Sequence, residues 1–190
     1  MPADGAAPAA PLPVELRVLT GPNLYFPGPA VKLTLDARPA LDADAGDVLA
    51  WRRALRMLGT SVGLPGSASR HAAAAQIAAT VVRRSAARIH RRVPAVGEVG
   101  DGGTVIAAFP FRRRGTAEAL GAVVARTFAD ITDGTVSPQR ALQRVGSAMA
   151  GHDPGEEVAP LRPRIPVIAV TGTNGKTTTT RLIAHLMAAD

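Results

Sequence analysis

Near the end of the chain, Pro166-Val-Ile-Ala-Val170 is followed by Thr171-Gly-Thr-Asn-Gly-Lys-Thr-Thr178 and then by a helical sequence. A continuous apolar run of this kind is typical of a strand buried on both faces of a parallel sheet. The glycine-containing turn and a helix from about Gly175 onward complete a strand–loop–helix unit. The sequence therefore predicts an α/β chain in which residues 165–190 begin a parallel-sheet domain.

The loop between that strand and helix predicts phosphate binding. Its glycines let successive backbone N–H groups turn toward phosphate oxygens, and the helix N-terminus adds unpaired donors and partial positive charge. Lys176 would reach the β- and γ-phosphates as the catalytic cation, and the Thr177 hydroxyl would be a ligand of Mg²⁺. Thr178 would contact the α-phosphate side or cap the helix, whereas Thr179 and Thr180 are expected to be structural. The candidate nucleotide-binding residues are Gly172, Thr173, Asn174, Gly175, Lys176, Thr177 and Thr178.

The match to the general phosphate-loop pattern is incomplete. The pattern G-x-x-x-x-G-K-[ST] requires glycine at position 170, where this chain has Val170. The alternative is a turn rich in glycine and threonine that opens an ordinary helix. The composition favours phosphate binding, because Lys32 and Lys176 are the only lysines among 22 basic residues. A solvated surface cation in this chain would almost always be arginine.

Composition excludes several other classes of protein. The 190 residues are 46% hydrophobic and include no cysteine, which excludes disulfides, thiol catalysis and cysteine-ligated metals. The N-terminus lacks the basic and apolar regions of a signal peptide, and no apolar run approaches the ~18 residues of a membrane span. A cytoplasmic protein without a membrane partner is expected. The net charge of +7 permits nucleic-acid binding, but the arginine bias inflates that charge, so no nucleic-acid partner is expected.

Upstream of the loop, the chain divides into three parts. Residues 1–13 are dominated by alanine and proline and predict a disordered tail. Residues 14–150 predict an α+β N-terminal domain, and the proline- and glycine-rich residues 151–164 predict a linker. Apolar runs that alternate with polar residues or end at glycine and proline predict strands at 14–20, 31–35 and 104–109.

Four helices are predicted in this domain from apolar residues at helical spacing. The first carries Val48, Trp51, Leu55 and Leu58 and ends at Gly59; the second and longest spans residues 71–93. The third is capped by Thr116 and carries a stripe from Leu120 to Ile131. The fourth starts at Ser137-Pro138, points Leu142, Val145 and Met149 inward and stops at Gly151.

Two segments resemble a known family. Val170-Thr-Gly-Thr-Asn-Gly-Lys-Thr-Thr-Thr-Thr-Arg-Leu-Ile-Ala-His185 is similar to the start of the Mur ligase central domain, in the version found in cyanophycin synthetases. Leu19-Thr-Gly-Pro-Asn-Leu-Tyr25 resembles the R-G-P-N segment near the start of cyanophycin synthetases, which is also followed by a strand. That family's N-terminal domain is an α+β unit of about this size.

The resemblance implies an ATP-dependent amide or peptide ligase that uses ATP and Mg²⁺. In such enzymes a substrate carboxylate is phosphorylated, and the amine of an amino acid or peptide attacks the acyl phosphate. The chain differs from cyanophycin synthetases because it has no ATP-grasp domain between the two segments. It ends at Asp190, so these 190 residues are expected to be an inactive N-terminal portion of such a ligase. The alternative is a non-catalytic N-terminal module that binds a partner or oligomerises.

The remaining charged residues have simpler interpretations. Arg84, Arg88 and Arg91 predict a solvated helix face rather than a polyanion groove, and Arg112-Arg-Arg114 an exposed turn. The opposite Ala/Val face of that helix belongs to the core or to a subunit contact in a homo-oligomer, and the core is favoured. The four histidines share no metal-ligand spacing. Lys32 is a candidate substrate contact.

Overall fold

A four-stranded antiparallel sheet organises the computed structural model, which describes residues 15–59, 61–159, 168, 170 and 175–188. The strands lie in the order β1-β2-β4-β3. They are β1 (Glu15–Leu19), β2 (Ala30–Asp36), β3 (Val96–Val99) and β4 (Thr104–Pro110). The helices are α1 (Arg38–Asp42), α2 (Ala45–Ala54), α3 (Ala68–Arg88), α4 (Arg114–Thr132), α5 (Pro138–Ala148) and α6 (Lys176–Met187). The prediction of a mixed helix and sheet chain is confirmed.

Helices cover one face of the sheet. Helix α3 packs against β3 and β4, helix α4 packs against β1 and β2, and α5 contacts both helices. The strands alternate accordingly, so that Val31, Leu33 and Leu35 are buried on β2 while Lys32 and Thr34 between them are half-buried on the other face. Since side chains alternate along a strand, this pattern places the core between the sheet and the α3–α4 pair.

Small residues let α3 approach the sheet closely. Ser67 is the N-cap of α3 and accepts a hydrogen bond from the Arg70 backbone N–H, while Ala74, Ala75 and Ala78 are buried in the helix. At Gly97 on β3, an added Cβ would lie 2.1 Å from the carbonyl oxygen of Ala75. Only a residue without a side chain permits this contact.

The predicted strands at 14–20, 31–35 and 104–109 correspond to β1, β2 and β4. The predicted helix at 71–93 corresponds to α3, which begins and ends earlier than expected. Helix α5 follows Ser137 as predicted, with Leu142, Val145 and Met149 buried. Strand β3 and helix α1 were not predicted.

Two predicted helix ends are wrong. Helix α2 ends at Ala54, and Leu58 is 95% exposed, because Arg56 adopts a positive φ of 54° and turns the chain before Gly59. Thr116 is not an N-cap, because α4 already begins at Arg114. N–H groups of its first turn donate instead to the backbone carbonyls of Pro154 and Glu156.

The tail predicted at 1–13 lies outside the described residues. In the run predicted as a strand at 166–170, only Ile168 and Val170 are described, and neither is in regular secondary structure. A parallel strand needs a neighbouring strand to pair with. All the strand pairings of the described sheet are antiparallel, so the described strands offer no parallel partner for the predicted strand.

Candidate functional site

Helix α6 begins inside the predicted phosphate loop. Gly175 is the residue before the helix and has a φ of +77°, a left-handed conformation that favours glycine. The Thr179 N–H donates the first bond of the helix, to the Gly175 carbonyl at 2.9 Å. Lys176, Thr177 and Thr178 therefore occupy the first turn, whose N–H groups an α-helix leaves outside its own hydrogen-bond ladder.

The electrostatics of this turn suit an anion. Gly175, Lys176, Thr177 and Thr178 are all exposed, and the first turn of α6 contains no acidic residue. The positive end of the helix dipole and the Lys176 ammonium thus both attract an anion. Among the described residues, none lies within 4 Å of a Cβ added at Gly175.

The threonines of α6 differ in their roles. The Thr180 hydroxyl donates a 2.8 Å hydrogen bond to the Lys176 carbonyl, so it is used within the helix, as expected for a structural residue. The Thr177 hydroxyl remains the candidate ligand of Mg²⁺. Gly172, Thr173 and Asn174 lie outside the described residues, so the structure brings together four of the seven candidate residues.

The donor set of this turn fits magnesium-bound ATP. Backbone N–H groups and an ammonium bind phosphate oxygens, and a hydroxyl is a hard oxygen ligand of the kind Mg²⁺ takes together with phosphates and water. Within the described part of the chain, no group of three or more histidine or acidic side chains could hold a metal ion. The fit to magnesium-bound ATP therefore depends on the backbone N–H groups, the Lys176 ammonium and the Thr177 hydroxyl of this turn.

The Gly-Pro-Asn segment has a clear structural role. The Asn23 Nδ2 donates to the carbonyls of Gly21 at 3.0 Å and Gly28 at 2.9 Å, and its Oδ1 accepts from the N–H groups of Tyr25 and Phe26, both at 3.1 Å. One side chain thus ties both ends of the loop between β1 and β2. Burial, together with the negative charge of Glu98, raises the pKa of Tyr25. Lys32, the candidate substrate contact, lies on β2 opposite Arg17 of β1, on the face of the sheet away from the helices.

Residues 152–158 are hydrogen bonded to the start of α4. The N–H groups of Arg114 and Thr116 donate to the carbonyls of Glu156 and Pro154, and Val158 donates to Arg112 at 2.7 Å. The His152 ring bridges the Thr116 hydroxyl and the Met149 carbonyl. His152 therefore links the end of α5 to the start of α4.

Sequence reasoning missed two buried arginines and a cleft. Arg52 and Arg70 are 6% and 0% exposed and bind backbone carbonyls. A cleft of about 500 Å³ lies between the end of α3 and the start of α4, with arginines on its rim. The triplet Arg112-Arg-Arg114 was the one sequence signal for this cleft. All three are exposed as expected.

Short stretches of the chain are similar to cyanophycin synthetases. The chain is 83% identical over 23 residues to the cyanophycin synthetase of Synechocystis sp., which covers 12% of this chain and 3% of that protein. It is 47% identical over 53 residues to the cyanophycin synthetase of Trichormus variabilis, which covers 27% of this chain and 5% of that protein. These matches support a cyanophycin-synthetase-like relationship over a small part of each protein.

No family model and no solved structure matches the chain. Among the described helices, none is both long and apolar enough to cross a bilayer.

Proposed function

We propose that this chain is the N-terminal portion of an ATP-dependent ligase of the Mur type, related to cyanophycin synthetases. The observation that carries the proposal is the left-handed Gly175 followed at once by a helix whose first turn is Lys176-Thr177-Thr178, within the sequence Gly-Thr-Asn-Gly-Lys-Thr. The short matches to cyanophycin synthetases support a ligase-related function.

The residues of the first turn would have distinct tasks. Backbone N–H groups of the turn and the Lys176 ammonium would bind the β- and γ-phosphates and offset the negative charge that develops on the transferred group. The Thr177 hydroxyl would hold Mg²⁺ and so orient the phosphates. When bound, ATP supplies the phosphoryl group that activates a substrate carboxylate for attack by the amine of an amino acid or peptide.

The test is ATP turnover by the natural gene product that contains this segment. Lys176→Ala is expected to reduce substrate-dependent phosphate release by at least about a hundredfold, since it removes a charge that is needed most in the transition state. Arg181→Ala is the matched control, because Arg181 is an exposed cation on the same helix. Turnover retained in Lys176→Ala, or lost equally in Arg181→Ala, would contradict the assignment.

One observation favours a second candidate, a non-catalytic module that binds a partner or forms a homo-oligomer. Residues 15–159 have a hydrophobic core of their own, whereas α6 contains no buried residue. Under this alternative, the natural gene product shows no ATP turnover that depends on Lys176, and Lys176→Ala leaves partner binding unchanged. The same assay therefore separates the two.

A further inference from the structure

The cleft between α3 and α4 has an apolar interior. Phe109, Ala117 and Leu120 are buried beneath it, and Val93 and Phe111 form half-buried walls. Its volume of about 500 Å³ lies within the range of small-molecule sites. The cleft can therefore cover the apolar body of one small ligand.

The rim of the cleft is strongly positive. Arg91, Arg92, Arg112 and Arg113 line it, with Glu157 as the one acidic lining residue that the structure describes. Arg113 donates to the Gly155 carbonyl at 3.2 Å and lies 3.8 Å from the Glu157 carboxylate. The other three guanidinium groups make no hydrogen bond or ion pair with the described part of the chain.

Two N–H groups at the neighbouring helix terminus already have acceptors. The first-turn N–H groups of Arg114 and Thr116 donate to carbonyls of residues 154–156, so they are not offered to a ligand. An anion in the cleft would therefore be bound by side chains. Several planar guanidinium forks suit a phosphate better than a single carboxylate, because a phosphate presents three oxygens and can accept more than one fork.

We propose that this cleft binds an organic phosphate with a flat ring, of the nucleoside monophosphate class. The phosphate would lie among Arg91, Arg92 and Arg112, and the ring would pack on Phe111 and Pro94 at the cleft wall. Of the loop residues that the structure describes, Gly175 to Thr178, none lines the cleft. The proposal rests on the residues that line the cleft and does not depend on the proposed function.

The experiment measures binding of AMP, adenosine and inorganic phosphate to the full chain by calorimetry or NMR titration. AMP is expected to bind saturably and at least tenfold more tightly than adenosine or phosphate alone. Arg92→Ala and Arg112→Ala should each weaken AMP binding by about tenfold or more, as the loss of a charge-assisted hydrogen bond predicts. Circular dichroism melts check that both variants fold.

Two variants serve as controls. Arg140→Ala removes an exposed arginine of α5 that does not line the cleft, and it should change AMP affinity less than twofold. In the Lys176→Ala variant, the part of AMP binding that Arg92→Ala removes should persist, which distinguishes this site from the phosphate loop.

Several results would overturn the proposal. They are AMP binding no tighter than phosphate, binding unaffected by both cleft variants, and binding lost in Lys176→Ala. Benzoate, a flat ring with a carboxylate, is titrated as well. If it bound as tightly as AMP, the proposed selectivity for phosphate would be overturned. A single-stranded oligonucleotide that binds far more tightly than AMP, with the same dependence on Arg92 and Arg112, would replace the proposal with a nucleic-acid surface.

Discussion

Replacing Arg70 with methionine is expected to lower the free energy of unfolding by about 3–5 kcal/mol. Arg70 lies in the first turn of α3 and is 0% exposed. Its Nε donates to the Val62 carbonyl at 2.9 Å and its Nη2 to the Gly63 carbonyl at 3.1 Å, while Nη1 donates to the carbonyl of Ala43, which follows α1. One guanidinium thus joins the start of α3 to two separate stretches of backbone.

The magnitude follows from the carbonyls that the substitution leaves behind. Nη1 also reaches the carbonyls of Ala40 and Leu41, but at 3.3 Å these contacts are long and contribute less. Three carbonyls therefore lose a good donor, at roughly 1–3 kcal/mol for each buried group left unsatisfied. The gain from no longer burying a charge offsets part of this loss, which places the net effect at about 3–5 kcal/mol.

The assay is urea unfolding followed by far-UV circular dichroism. Arg70→Lys keeps the charge but not the planar fork, so it should lose about 1–2 kcal/mol and provides a measurable variant if Arg70→Met does not fold. Arg88→Met is the matched control, because Arg88 is an exposed arginine of the same helix, and it should lie within about 0.5 kcal/mol of the wild type. An Arg70→Met midpoint indistinguishable from that of Arg88→Met would refute the reasoning.

Two further predictions concern backbone packing and pH. Gly97→Ala should destabilise the domain by about 2–3 kcal/mol in thermal melts, because its Cβ would lie 2.1 Å from a carbonyl oxygen of α3. Gly146→Ala on α5, where the added Cβ has no described residue within 4 Å, should instead stabilise it by about 0.5–1 kcal/mol, and equal effects of the two changes would contradict the packing argument. Hydrogen bonds from Arg38 lower the pKa of the Asp36 carboxyl, so the pair stabilises the fold above the unfolded pKa and loses this effect as pH falls through the folded pKa. Asp36→Asn should therefore reduce stability at pH 7 and change it little near about pH 2, and a loss that is the same at both pH values would exclude the ion pair as its cause.

The parts of the fold that the sequence predicts are those with a repeating apolar pattern. Strand β2 alternates buried and half-buried residues, and the stripe from Leu120 to Ile131 on α4 follows the helical period. Strand β3 has only four residues, Val96–Val99, one of which is a glycine. It forms because β4 pairs with it and α3 packs on it, and neither contact leaves a local pattern in the sequence.

The site was predictable to the extent that it is local. A helix was predicted from about Gly175 because a glycine-containing turn precedes it, and in the structure α6 begins at Lys176 with Gly175 as its N-cap. The cleft is formed by segments near residues 89–94, 109–120 and 157. The triplet Arg112-Arg-Arg114 marks one of these segments in the sequence, but nothing local shows that the other two lie beside it. Arg70 was missed for the same reason, since its partners lie in α1 and in the loop before α3.

The role of each arginine in this chain is decided by the partner its guanidinium reaches. Arg52 and Arg70 bind carbonyls and are buried, whereas Arg38 has the Asp36 carboxylate 2.5 Å away. Arg92 and Arg112 have no such partner in the described structure, although they share a cleft with two further arginines. Clustered like charges repel one another, and within the described chain only Arg113 has bonds that offset this repulsion, to Gly155 and Glu157. An anion bound among these side chains would reduce that repulsion, which is the role proposed for them above.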